Sequence, residues 1–162
     1  MHSVYIVTGS NIGDRLKNLT VAKHHLENSI GKILQSSSIY ETAPWGKSDQ
    51  ENFLNQVHHM QTLSDARSVM EKCLSIETSM GRIRTIKNAP RLIDLDILFF
   101  NDNIIDLPDL KIPHPEIPNR RFVLEPIVEI APELLHPHLN KTMKTLLTET
   151  KDSLVVTKAT CT

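Results

Sequence analysis

Glycine-rich phosphate loops, paired cysteines, long apolar runs and a surplus of one charge are all missing from this 162-residue chain. No GxxxxGK[ST] or GxGxxG occurs, so any bound nucleotide must be held by side chains and metal rather than by a backbone cradle. The two cysteines, Cys73 and Cys161, are far apart and form no CxxC pair, which argues against a disulfide framework or a structural zinc site and points to a reducing cytoplasm. No apolar stretch approaches a membrane span, and the opening MHSVYIVTGSN reads as a first strand rather than a signal peptide. Aromatics make up only 4% of the chain, and Lys plus Arg (18) nearly balance Asp plus Glu (19). Neither the stacking platform nor the basic field of a nucleic-acid or anionic-membrane binder is present, and any phosphate site has to be built locally.

The length suits one domain over 1–162, with no repeat or linker to divide it. Val4 to Val7 predicts a strand ending in the turn cluster Thr8 to Asn11. A helix is expected over about 14–28, with Leu16, Leu19, Ala22, Leu26 and Ile30 on its apolar stripe and Gly31 as its stop. Lys32 to Tyr40 reads as one strand, 41–52 as a loop, and Phe53 to Met60 as the next strand. Ser64 is the expected N-cap of a helix reaching about Met80, with Ala66, Val69, Met70, Cys73, Ile76 and Met80 on one face. A basic loop, 82–91, leads into the strand LIDLDILFF. Beyond Asn103 the pattern predicts a short strand, the proline-rich loop IPHPEIPNRR, a helix from Phe122 or Val123 to Ile130, a helix over Thr142 to Glu149 and a closing strand, Leu154 to Thr157. Strand and helix order fit an α+β, ferredoxin-like βαββαβ core with a mostly antiparallel sheet, helices packed on it and two loops expected to move over the site.

Asp94 and Asp96 stand two apart on the most strand-like segment, so they share a face opposite Ile93, Leu95, Ile97 and Phe99. Their Cβ atoms are about 7 Å apart, and two carboxylates there repel by roughly 2–3 kcal/mol at an effective dielectric of about 20. A divalent cation reverses that repulsion, and oxygen-only ligands favour Mg²⁺ or Mn²⁺ over zinc. The alternative is the solvated polar face of an edge strand. Arg82, Arg84, Lys87 and Arg91 in the preceding loop can reach the same face, and guanidinium forks match phosphate oxygens. Glu77 falls in the middle of an apolar helical stripe, where a carboxylate needs a partner, either an arginine or a nucleotide group. His114, between Pro113 and Pro115 and followed by Arg120, Arg121 and Phe122, suits a nucleotide or heterocycle. The pairs His24/His25 and His58/His59, and His136 with His138, are expected to be surface or core residues rather than metal ligands. Together these residues describe an enzyme that uses magnesium on Asp94 and Asp96 to move a phosphate-bearing group from ATP to a flat heterocyclic alcohol.

The segments YIVTGSN, YETAPWG, FLNQV, IETSMGRIR, PRLIDLDILFF and IPHPEIPNRRFVLEPIVEIAPELLHP, in this order, resemble the 6-hydroxymethyl-7,8-dihydropterin pyrophosphokinases of folate biosynthesis. The resemblance implies transfer of the pyrophosphoryl group of ATP to the pterin hydroxymethyl group, with AMP released and two Mg²⁺ ions held by Asp94 and Asp96. It implies phosphate handling by Arg82 and Arg91 and ATP contacts from Glu77, Arg84, Ile97, His114 and Arg120. The pterin slot it implies comprises Thr42, Ala43, Pro44, Trp45, Phe53, Asn55, Asp94 and Phe122. Phe53 stands where tyrosine is common, Pro115 where some members have an aromatic, and the basic loop has Asn88 and Ala89 in place of a tryptophan and is one residue shorter. A monomer is expected. The competing readings are a magnesium nucleotidyltransferase, which would release pyrophosphate, and a ferredoxin-like small-molecule-binding module.

Overall fold

The computed structural model describes residues 1–43, 50–81 and 91–159. Pro44, Trp45, Arg82, Arg84, Lys87, Asn88 and Ala89 lie outside the described residues, as do the expected loop motions. A continuous apolar run, Val4 to Val7, buried on both faces, forms the centre of β1 (His2–Ser10), followed by α1 (Arg15–Ser29), β2 (Gly31–Ser36), β3 (Tyr40–Thr42), β4 (Phe53–Thr62), α2 (Ala66–Ser79) and β5 (Asp94–Phe100). A small hairpin of β6 (Ile105–Leu107) and β7 (Leu110–Ile112) leads to a 3-10 turn, then α3 (Arg121–Ile130), α4 (Met143–Glu149) and β8 (Val156–Lys158). The main sheet runs β5-β1-β4-β3-β8, with β2 also on β4, and its pairings are all antiparallel. This is the expected ferredoxin-like order.

Even-numbered residues of β1 and β4 (Val4, Ile6, Leu54, Met60) face α1 and α2. Their odd-numbered neighbours (Tyr5, Val7, Val57) face α3 and α4. The helical stripe of α2 is as expected, with Val69, Cys73 and Ile76 buried. Its N-cap is Asp65 rather than Ser64, because the Asp65 carboxylate accepts the Ser68 N–H. Gly81, at φ +91°, takes the left-handed turn that ends it.

Several expected boundaries are corrected. Thr8 to Ser10 is not a turn but the end of β1, paired with Gln56 to Leu54. On α1, Leu16 is exposed and only Leu19, Ala22 and Leu26 are buried. The single strand expected over Lys32 to Tyr40 breaks in two, because the Ser37 hydroxyl accepts the Val57 N–H (2.9 Å) and replaces a rung of the ladder. Glu41 and Thr42 belong to β3 rather than to a loop. Helix α3 starts at Arg121, whose N–H is taken by Asp152 (2.9 Å), and the closing strand is 156–158. In β5 the register against β1 shifts between Tyr5 and Ile6, so Phe99 does not share a face with Ile93, Leu95 and Ile97. It packs with Leu98 and Tyr5 on the α3 side, and Phe100 takes its place below the other helices.

Three of the histidines make structural contacts. His58 is fully buried facing α1, with Nδ1 2.7 Å from the Ser36 hydroxyl, while His59 stacks on Tyr5 and His136 accepts the N–H groups of His138 and Leu139. Burial, with Lys23 adding to it, pushes the His58 imidazole down to about 4. The unfolded chain therefore binds a proton that the folded chain refuses, and stability falls as pH drops from the ordinary histidine range towards about 4. Between about pH 7.5 and pH 5 the expected loss is about 2 kcal/mol. Urea unfolding at the two pH values measures it, and His58→Leu is expected to flatten the dependence.

Candidate active site

Five elements meet where the α3 face of the sheet is left uncovered. Strand β5 brings Asp94 and Asp96, the ends of β1, β3 and β4 bring Gly9, Thr42, Phe53 and Asn55, and the start of α3 brings Arg120 and Phe122. They line a cleft of about 390 Å³, with Ala43 and Arg91 also on its wall. Asp94 and Asp96 thus project together as their spacing requires. Arg91 Nη1 donates to Asp94 Oδ2 at 2.8 Å, placing a guanidinium beside the pair.

The far wall is unusual for its unsatisfied polar atoms. Asn55 Nδ2 donates to the Thr8 carbonyl (3.2 Å), but the buried Asn55 Oδ1 and Thr42 Oγ1 have no hydrogen-bond partner among the described residues. Such atoms cost about 1–3 kcal/mol each if left without one. The Asn55 amide lies over Gly9, where an added Cβ would come within 2.5 Å of Asn55 Nδ2. Strand β3, which carries Thr42, is held against α3 by Glu129, whose carboxylate accepts from the Tyr40 hydroxyl (2.7 Å) and from the Ser38 N–H and hydroxyl. The Arg120 guanidinium sits 5.5 Å from the Phe122 ring centre, so a cation already covers part of that ring.

A second cleft, of about 350 Å³, opens on the other side of β5 between α2 and the segment 108–115. Asp96 lines both. His114 and Ile97 line the second cleft, although Ile97 is otherwise packed in the core under α1 and α2. His114 Nδ1 accepts the Glu116 N–H (3.1 Å), so a neutral ring carries its proton on Nε2. Burial, reinforced by Arg120, pushes the imidazole below its ordinary range and favours that neutral form.

Glu77, 1% exposed, uses its carboxylate to accept the Leu95 N–H at 2.7 Å. Among the described residues β5 pairs only with β1, so this bond fills part of its open edge and fixes the strand between the two aspartates. Cys73 is a buried free thiol near the same carboxylates, its pKa pushed up to about 12 by burial and by Glu77 and Asp96.

The profile of one family, 7,8-dihydro-6-hydroxymethylpterin-pyrophosphokinase, matches residues 5–132. The chain belongs to this family. Among its pyrophosphokinase relatives, the 2-amino-4-hydroxy-6-hydroxymethyldihydropteridine pyrophosphokinase of Aquifex aeolicus is 38% identical over 144 residues, covering 89% of this chain and 89% of that protein. The corresponding Bacillus subtilis enzyme is 41% identical over 132 residues, covering 80% and 78%. The folic acid synthesis protein fol1 of Schizosaccharomyces pombe is 38% identical over 144 residues. These are 88% of this chain but only 20% of that protein, so the chain spans about a fifth of that relative's length. Among solved structures, wild-type Plasmodium falciparum HPPK-DHPS with pteroate superposes with a TM-score of 0.76 over 91% of this chain and 42% of the other, at 21% identity. That likeness shows the pyrophosphokinase-type fold.

Of the expected site residues, Thr42, Ala43, Phe53, Asn55, Arg91, Asp94, Asp96, Arg120 and Phe122 converge on the first cleft, and Ile97 and His114 on the second. Glu77 lies beneath β5 rather than on the lining of either cleft. Gly9, Gln50, Glu116 and Asn119 line the first cleft without having been anticipated. Gly9 and Asn119 stand in the quoted TGSN and PNRR segments, which was the only signal for them. No helix among the described residues is long and apolar enough to cross a membrane.

Proposed function

We propose that this chain transfers the pyrophosphoryl group of ATP to the hydroxymethyl group of 6-hydroxymethyl-7,8-dihydropterin, giving the pterin diphosphate and AMP. The family and its named relatives support this reading. The observation that carries it is one cleft with two complementary walls, the carboxylates of β5 with Arg91 just before the strand facing unsatisfied amide and hydroxyl groups beside Phe122. A flat, polar-edged heterocycle fits the second wall. Asn55 Oδ1 accepts from its ring N–H or amino group, Thr42 Oγ1 bonds its edge, and Phe53 and Phe122 stack on its faces.

The alcohol oxygen attacks the β-phosphorus of ATP in line as the bond to the oxygen bridging the α- and β-phosphorus breaks, and AMP leaves. Arg91 and Arg120 stabilise the charge that spreads over the transferring group, and His114 Nε2–H donates to a nucleotide acceptor in the second cleft. Among the described residues no cluster of three or more His, Cys, Asp or Glu forms a complete metal cage. A carboxylate pair nevertheless fits Mg²⁺, a cation for which one or two protein carboxylates would suffice. One or two ions on Asp94 and Asp96 would neutralise the triphosphate and align it. We assign no strong side-chain base among the described residues, and the primary alcohol loses its proton late, directly or through water. The single-domain monomer and the cytoplasmic location belong to the same reading.

Incubating the protein with ATP, Mg²⁺ and the pterin, and separating products by chromatography, tests the reaction. Stoichiometric AMP and pterin diphosphate, abolished by EDTA, are expected. Release of pyrophosphate would replace this reading with nucleotidyl transfer, and no turnover by folded protein would replace it with a binding module.

A further inference from the structure

Asn11 sits at the end of β1, 1% exposed, and lies on neither cleft lining. Its backbone and side chain nevertheless tie together two stretches that do line the first cleft. Asn11 Oδ1 accepts the Arg91 N–H at 2.7 Å, and the Asn11 N–H donates to the Arg91 carbonyl at 3.0 Å, so the two residues close a reciprocal pair. On its other side Asn11 Nδ2 donates to Gln50 Oε1 (2.9 Å) and to the Glu51 carbonyl (3.3 Å). The orientation of the amide is fixed by these partners: a backbone N–H demands the oxygen, and a backbone carbonyl demands the nitrogen.

We propose that Asn11 is a positioning residue for the transfer reaction, holding Arg91 and Gln50 in register across the mouth of the cleft. This rests on the pyrophosphoryl-transfer reading above. Arg91 is three residues before Asp94 and pairs with it through its side chain. Fixing the Arg91 backbone therefore fixes where that guanidinium meets the carboxylate face. No other side chain reproduces the arrangement. Aspartate keeps an acceptor for the Arg91 N–H but turns an oxygen towards the Glu51 carbonyl, alanine loses both sides, and glutamine is one methylene too long for so buried a site.

Placement errors of about 1 Å at a reacting group cost about 10²-fold in rate, so effects of that order are expected. In the full chain Asn11→Ala is expected to lower kcat by about 10- to 100-fold and Asn11→Asp by less. The dissociation constant for the pterin should stay within about threefold, because Asn55, Thr42 and Phe122 are untouched. A merely structural asparagine would lower the melting temperature and leave the kcat of the folded fraction unchanged. That result in either variant, or a kcat within about twofold of wild type in both, would overturn the proposal. Hydrogen exchange at the Arg91 amide supplies a readout independent of turnover. It should be slow in wild type and Asn11→Asp and fast in Asn11→Ala, and equal exchange in all three would remove the contact on which the proposal stands. If wild type shows no transfer while the exchange pattern is as expected, the reaction assignment fails and the Asn11 geometry does not.

Discussion

Asp94→Asn and Asp96→Asn should each lower turnover by about 10²-fold or more while the protein stays folded. Both carboxylates project into the first cleft rather than the core, and Asp96 also borders the second. The 2.8 Å ion pair of Arg91 with Asp94 offsets part of their mutual repulsion, so neutralising a carboxylate relieves repulsion and gives up attraction together. The expected signature is a large fall in kcat with a melting temperature close to that of wild type. Glu149→Gln is a suitable control, because that exposed carboxylate pairs with Lys141 and neither residue lines either cleft. Near-normal turnover in Asp94→Asn or Asp96→Asn would remove the metal-binding role from the pair.

The second large effect is expected from a residue that makes no polar side-chain contact at all. Gly9→Ala puts a methyl group where the Asn55 amide now lies, 2.5 Å from Asn55 Nδ2. Backbone adjustment is resisted, since Gly9 is paired on both sides, with Asn55 of β4 and Asp94 of β5. The Asn55 side chain must rotate instead, carrying its free Oδ1 out of line. Losing one buried hydrogen bond of this kind is worth about 1–3 kcal/mol, so pterin affinity should fall by about 10- to 100-fold, measured by calorimetry, with ATP affinity little changed. Asn55→Ala should do the same, and the double variant no more than the worse single one, because both act on one contact. Additive losses would show that Gly9 acts through something other than Asn55.

How much of this was legible in the sequence depends on whether the deciding force is local. The stripe of α2 is written in its 3.6-residue period, and Glu77 stood out because a carboxylate interrupted that stripe; its partner, the Leu95 amide, was out of reach because that is a tertiary contact. The common face of Asp94 and Asp96 follows from strand alternation. The same alternation misassigned Phe99, since one extra residue opposite Tyr5 restarts the phase, and nothing in LFF marks a bulge. The break at Ser37 is invisible for a similar reason: three consecutive serines read as a polar strand until one hydroxyl is seen serving the Val57 N–H. Asn11 was read as part of a turn, which is the common use of asparagine at a strand end, and its side-chain bonds run to residues about 40 and 80 positions away.

Strand β3 would be a bare margin of the sheet if β8 did not lie along it. Three residues do this, with Thr42 opposite Val156 and Tyr40 opposite Lys158, and the Ala159 N–H adds a bond to the Ile39 carbonyl. The wall of the cleft that carries Thr42 is therefore braced by a stretch of chain more than a hundred residues further on, outside every motif that identified the site. A protease nick or a bulky tag that peels this stretch away would uncover a row of backbone donors and acceptors able to recruit a strand from another molecule. Clumping and a slackened cleft wall would then arise together from damage far along the chain from Asp94 and Asp96.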